Sequence, residues 1–232
     1  MLEERYKNTK HIESVPHWHI EESPWKVQHI MRILERHRIT PKTICELGCG
    51  FGEVLRLIQT CLGKECECWG YEISPIALEH AQARANERLH FKLADIAQEA
   101  DRSFDLMLVL DVVEHAENYL GLLQQIRTKS EYKIFQIPLD LSAQTVLRGK
   151  VLLRLREELG HIHYFTKDTA LQSLVDCGYE ILDYTYTSSS TELPSHLLTT
   201  RLMRIPRRLC FTLNKELAAR VLGGYRLMIL AR

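Results

Sequence analysis

The sequence predicts an α/β protein built on a doubly wound parallel sheet, and three observations carry that prediction. Short apolar runs alternate with helical patterns from about residue 43 to 138, the rhythm of parallel strands joined by right-handed crossovers. The first run passes directly into a glycine-rich turn, "ELGCGFG". Four consecutive runs end in acids, Glu46, Glu72, Asp95 and Asp111, at the carboxyl ends where open α/β sheets bind ligands.

Taken in order, "ESPWKVQHIMRILERH" is a helix opened by Ser23-Pro24, and residues 1–40 are expected to form a helical cap over one edge of the site. The preceding "VPHWHIEESPW" reads as a lid or as an apolar anchor for that helix. "TICELG" is the first strand, followed by a helix from about Gly52 to Thr60. "CWGYEI" is the second, and Ser74-Pro75 supplies a cap and a first-turn proline for the next helix. "HFKLAD" is the third strand. "FDLMLVL" is the fourth, apolar enough to be buried on both faces. A helix over about 117–127 leads to a fifth strand, "YKIFQIP". "LSAQTVLRGKVLLRLREELG" is an amphipathic helical insertion closing at Gly160. A helix capped by Thr166 and stopped at Gly178 precedes a sixth strand. "TSSSTELPS" is a loop by composition. A long helical stretch, broken at Pro206, leads to the closing strand "YRLMILA".

Composition narrows the function classes. The 232 residues form one domain, 41–232, behind the cap, and 30 basic residues balance 30 acidic ones. No global field therefore draws in nucleic acid or anionic lipid. The C-terminal part is mildly basic, with 13 basic against 9 acidic residues over 139–232, while 1–138 holds 17 against 21. The seven cysteines contain no CxxC pair and no histidine partners at zinc spacing, so reduced thiols are expected rather than a metal centre. The charged N-terminus is no signal peptide, and "LMLVL" is too short to span a bilayer. A cytoplasmic protein without integral membrane association is expected.

The glycines decide between ligands. A dinucleotide fold uses GxGxxG; here the spacing is GxGxG, Gly48, Gly50 and Gly52, followed by Glu53 where a pyrophosphate would sit. Glu46, at the strand end, suits a ligand carrying an ammonium group. Glu72 is placed to accept hydrogen bonds from two ribose hydroxyls. Asp95 lies beside an adenine pocket and Asp111 beneath the same crevice, although both also have a plainer reading as helix caps.

With "ELGCGFG", "GYEIS", "LADI" and "FDLMLVLDVVEH" in order over residues 41–138, the sequence resembles the class I S-adenosylmethionine-dependent methyltransferases. "GHIHYFT" and "LGGYRLMILAR" are similar to later elements of the small-molecule members. The resemblance implies a Rossmann-like sheet of seven strands, order 3-2-1-4-5-7-6, with the seventh antiparallel. It implies S-adenosylmethionine as cofactor and a small organic methyl acceptor as partner. By it Glu46, Leu47, Gly48, Cys49, Gly50 and Gly52 meet the methionine end, Glu72 and Ile73 the ribose, Asp95 and Ile96 the adenine. Leu110 and Asp111 close the far side. A non-catalytic binder of the same cofactor and a nicotinamide-dependent oxidoreductase are the alternatives.

Outside those motifs, His161 and His163 alternate, so on a strand they would share a face and offer a general base at the acceptor. Their other reading is structural. Glu114 and His115 raise a metal reading, set beside one in which His115 closes a helix start; no metal is expected. "RLMRIPRRL" reads as a solvated basic face or an interfacial helix. The segments 139–164 and 187–224 are expected to build the acceptor pocket.

Overall fold

The computed structural model describes residues 20–63, 65–99, 102–193 and 198–232. The start of the "VPHWHIEESPW" segment lies outside them. Seven strands form one sheet in the order β3-β2-β1-β4-β5-β7-β6, with β7 antiparallel to β6, as expected. The described residues divide into two units. One holds those up to Leu110 with Gly121–Ile134 and Arg232; the other holds Asp111–Leu120 and Phe135–Ala231.

In the first unit, α1 (Ser23–His37) buries Trp25, Val27, Ile30, Ile33 and Leu34 on one face, the spacing of an amphipathic helix. It packs on α2 (Glu53–Leu62), whose inward side chains are Val54, Leu55 and Ile58. Strand β1 (Thr43–Leu47) lies between β2 (Glu67–Glu72) and β4 (Phe104–Leu110), parallel to both. Its register against β4 is pinned by Asp105, whose Oδ2 accepts from Lys42 and Thr43 N–H groups at 2.7 and 2.9 Å. Helix α3 (Pro75–Gln82), capped by Ser74, connects β2 to β3 (Leu89–Leu93).

Gly52 shows how tightly the turn between β1 and α2 packs on β3. It has φ +76°, and a Cβ there would fall 2.4 Å from Phe91 Cζ. Gly52→Ala should cost about 2–4 kcal/mol, the left-handed backbone contributing about 1 and overpacking the rest. Denaturant unfolding checks this, and a loss under about 0.5 kcal/mol would show that the Phe91 ring gives way.

In the second unit, helix α4 (Tyr119–Ile126) begins just before the chain re-enters the first, and β5 (Ser130–Pro138) finishes here. The expected single helical insertion is two, α5 (Ala143–Leu147) and α6 (Val151–Glu158). Gly149, at φ +67°, turns the chain out of helical geometry between them. Thr166 caps α7 (Lys167–Asp176) with a capping box, and β6 (Ile181–Thr187) follows. Part of the expected "TSSSTELPS" loop is a helical turn, α8 (Ser189–Glu192).

The break expected at Pro206 is not there. Helix α9 (Leu198–Leu213) runs through it, although proline removes one helical N–H. The turns beyond are fastened by Tyr225, whose ring stacks on Phe211 at 5.0 Å and whose hydroxyl donates to the Arg207 carbonyl. The chain breaks at Asn214 instead, where Oδ1 accepts from Leu217 N–H and opens α10 (Lys215–Leu222). The outward face of α9 is apolar as well as basic, with Ile205, Leu209 and Leu213 exposed. Strand β7 (Arg226–Ala231) ends the fold. Among the described residues no helix is long and apolar enough to cross a membrane.

Candidate active site

In the first unit the glycine turn is strapped to the end of β2. Gly48 and Cys49 N–H both donate to the Tyr71 carbonyl, at 2.8 and 3.1 Å, and Gly50 N–H donates to Glu72 Oε2 at 2.9 Å. Glu72 Oε1 accepts from Ile73 and Ser74 N–H groups, both at 2.8 Å. An ionised carboxylate offers about four acceptor sites. Three of these are taken by the Gly50, Ile73 and Ser74 N–H groups, which leaves one acceptor position on Glu72.

Glu46 is buried and its Oε2 has no hydrogen-bond partner. Burial pushes its carboxyl up to about 8, with Lys26 acting against the shift and Glu72 with it. A cation fits such an orphaned oxygen, because a charge partner restores the ionised form. Without one, Glu46 is a pH liability. Its folded pKa is above its ordinary value of 4.5, so its stabilising contribution is complete below about pH 4.5 and is lost as pH rises through about 8. The unliganded protein should lose several kcal/mol of unfolding free energy across that window, and Glu46→Gln should flatten the slope. Denaturant melts at stepped pH measure it; equal slopes would remove Glu46 from the account.

Other expected residues take plainer positions. Asp95 caps the short turn Ile96–Gln98 through Ala97 N–H at 2.9 Å, and Ile96 is fully buried. Leu47, Cys49 and Leu110 are buried, and Ile73 is exposed. Desolvation raises the Cys49 thiol. Glu53 is held by Arg56 and Arg84, with Arg56 the larger cause of its lowered pKa. Its charge is therefore largely offset by the two guanidinium groups.

The second unit gathers a separate cluster. Asp111 sits at φ +54°, a conformation Asp tolerates better than most residues. Its N–H donates to the Gln136 carbonyl, and its Oδ1 lies 3.4 Å from Arg226 Nε. The Glu114 carbonyl accepts from Ile162 and His163 N–H groups at 2.9 and 3.1 Å, which draws residues 160–163 against the turn Val113–His115. Residues 160–163 form no strand, so the strand geometry that would put both histidines on one face does not arise: Ile162 and His163 N–H are spent on this turn, and Gly160 and His161 N–H on the Leu155 carbonyl.

The two histidines consequently have different partners. His161 Nδ1 lies 2.7 Å from Asp140 Oδ2, and its ring meets that of His115 edge-on at 5.0 Å. His163 Nε2 donates to the Ala116 carbonyl at 2.9 Å, and its ring packs on Tyr119 at 4.7 Å. His163 thus ties the loop down. His115 Nδ1 donates to the Gly160 carbonyl at 3.1 Å, and its Nε2 is 3.8 Å from Glu114 Oε1. Glu114 is fully buried with neither oxygen hydrogen-bonded to another residue. Desolvation, with Asp111 and Asp140 adding to it, raises its carboxyl well above the ordinary range. Sequence reasoning missed Asp140, although an acid two residues beyond β5 repeats the strand-end pattern already used for the other four.

A family model described as a methyltransferase domain matches residues 17–184. No curated protein matches. Solved structures sharing the fold include magnesium protoporphyrin IX methyltransferase from Synechocystis PCC 6803 with bound SAH, at TM-score 0.58 and 16% identity over 89% of this chain and 81% of that one. A putative sarcosine dimethylglycine methyltransferase from Galdieria sulphuraria aligns at TM-score 0.63 and 14% identity, over 89% and 84%. The N-methyltransferase NodS from Bradyrhizobium japonicum WM9, in complex with S-adenosyl-l-homocysteine, aligns at 0.57 and 14%, over 90% and 86%. With the family match spanning most of the chain and the strand order agreeing, the chain belongs to the methyltransferase domain family and its cofactor is S-adenosylmethionine.

Proposed function

We propose that this methyltransferase acts on a small organic acceptor, at oxygen or nitrogen, by in-line displacement. The observation that carries the reading is the pairing of the buried His161 with the half-buried Asp140 at 2.7 Å, outside every cofactor motif. With Nδ1 donating to the carboxylate, His161 keeps its lone pair on Nε2. The acceptor's lone pair forms the new bond to the methyl carbon as the bond to sulfur breaks and its electrons return to sulfur. The acceptor's proton passes to His161 Nε2. Because the sulfonium already activates the methyl group, alignment and exclusion of water supply the rest of the barrier lowering.

On the cofactor side we assign the ammonium to Glu46, the methionine end to the glycine turn, one ribose hydroxyl to Glu72, the adenine to Asp95 and Ile96, and the far side to Leu110 and Asp111. Residues 139–164 and 187–224 are assigned to the acceptor. Balanced charge supports a small acceptor over nucleic acid, as do similar structures named for a porphyrin and for sarcosine. All seven cysteines are free thiols, which supports the cytoplasmic reading.

The test incubates the enzyme with S-adenosylmethionine and a panel of small alcohols, phenols, acids and amines, following S-adenosylhomocysteine release. Turnover on at least one small acceptor is expected. Methylation of RNA or protein with none on the panel would overturn the reading.

A further inference from the structure

We infer that Glu114, His115 and His161 form a binding site for one divalent transition-metal ion of the zinc or cobalt kind. One ligand atom from each lies within 4.8 Å of those of the other two. Both rings are pre-set as ligands. His115 Nδ1 donates to the Gly160 carbonyl and His161 Nδ1 to Asp140, which leaves the lone pairs on Nε2. A carboxylate or carbonyl behind a ligating imidazole is the usual outer partner of a protein-bound metal, fixing tautomer and ring direction.

The independent observation is Glu114. It is 0% exposed, its two carboxylate oxygens have no hydrogen bond to another residue, and Oε1 faces His115 Nε2 at 3.8 Å. A buried carboxylate without partners is costly, and Asp111 and Asp140 both add negative charge around it while Arg226 opposes them. A cation among the three ligands answers all of this at once. Two imidazoles and one carboxylate suit zinc, cobalt or iron better than magnesium or calcium, which prefer all-oxygen shells. At metal–ligand distances of about 2.0–2.2 Å, side chains alone need close in by roughly 1 Å.

Such an ion would lower the pKa of an acceptor hydroxyl as a Lewis acid. His161 would then serve as a ligand and not as the base. Metal binding itself does not rest on the acceptor reading, so its test is spectroscopic. Tag-free protein, stripped with chelator, is titrated with Co(II), following visible absorption, and zinc is then used to displace it. Wild type should bind one equivalent saturably. Glu114→Gln and His115→Ala should each weaken binding by more than about 100-fold, and Asp140→Asn, which only orients a ligand, by about 10–100-fold. Circular dichroism confirms that each variant is folded. No saturable binding by wild type would overturn the site, as would wild-type affinity in folded Glu114→Gln. Either result would leave His161 as the proton acceptor in the proposed reaction.

Discussion

Replacing His161 with alanine is expected to cut methyl turnover by about 10²–10⁴ while S-adenosylhomocysteine affinity stays within about twofold. The residue belongs to no glycine-turn or strand-end contact. Its bonds are to Asp140 and, ring against ring, to His115. Asp140→Asn is the companion variant. Its amide can present an N–H where the imidazole needs an acceptor, and so selects the opposite tautomer. The rate should fall in both variants with KM for the cofactor unmoved. Glu114→Gln then separates the two roles open to His161: a lone base keeps its rate in that variant, whereas a metal ligand set loses it. Normal turnover in folded His161→Ala on an identified acceptor would make the histidine purely structural.

Glu72→Ala should have the largest effect on cofactor binding. The carboxylate holds three backbone donors, from Gly50, Ile73 and Ser74, and its remaining position is the one we assign to the ribose. Each charge-assisted hydrogen bond contributes about 1.5–3 kcal/mol. Losing the ribose bond alone lowers affinity by about tenfold or more, and loosening the glycine turn adds to that. Glu72→Gln should be nearly as damaging, because one end of an amide cannot accept from the N–H groups that face it. Calorimetric titration with S-adenosylhomocysteine measures both variants. Wild-type affinity in either would mean that Glu72 only shapes the turn and that the ribose is held elsewhere.

Much of the fold was legible because its signals are local. The Ser74-Pro75 start, the Thr166 cap and the apolar run of β4 each sit within a few residues. The strand order came through the family resemblance. What escaped the sequence was set by partners far along the chain. Asp140 and His161 are 21 residues apart. The pull of the Glu114 carbonyl on residues 162 and 163 turned an alternating pattern into a loop. Pro206 was misjudged because proline's local cost was weighed without Tyr225. Glu72 was placed correctly on its strand end, but the three loop amides that occupy it cannot be counted from spacing.

The strand order also constrains how the protein can be made. The last strand lies between two earlier ones, β5 and β6. About forty residues separate the end of β6 at Thr187 from the start of β7 at Arg226; at about 5–20 residues per second, translation leaves that slot open for roughly 2–8 seconds. During this interval the edges of β5 and β6 present unpaired backbone groups, the kind that recruit foreign strands. A chain halted between those points would have β5 as the open edge of its sheet and β6 without its partner strand, so chaperone demand should rise over this interval.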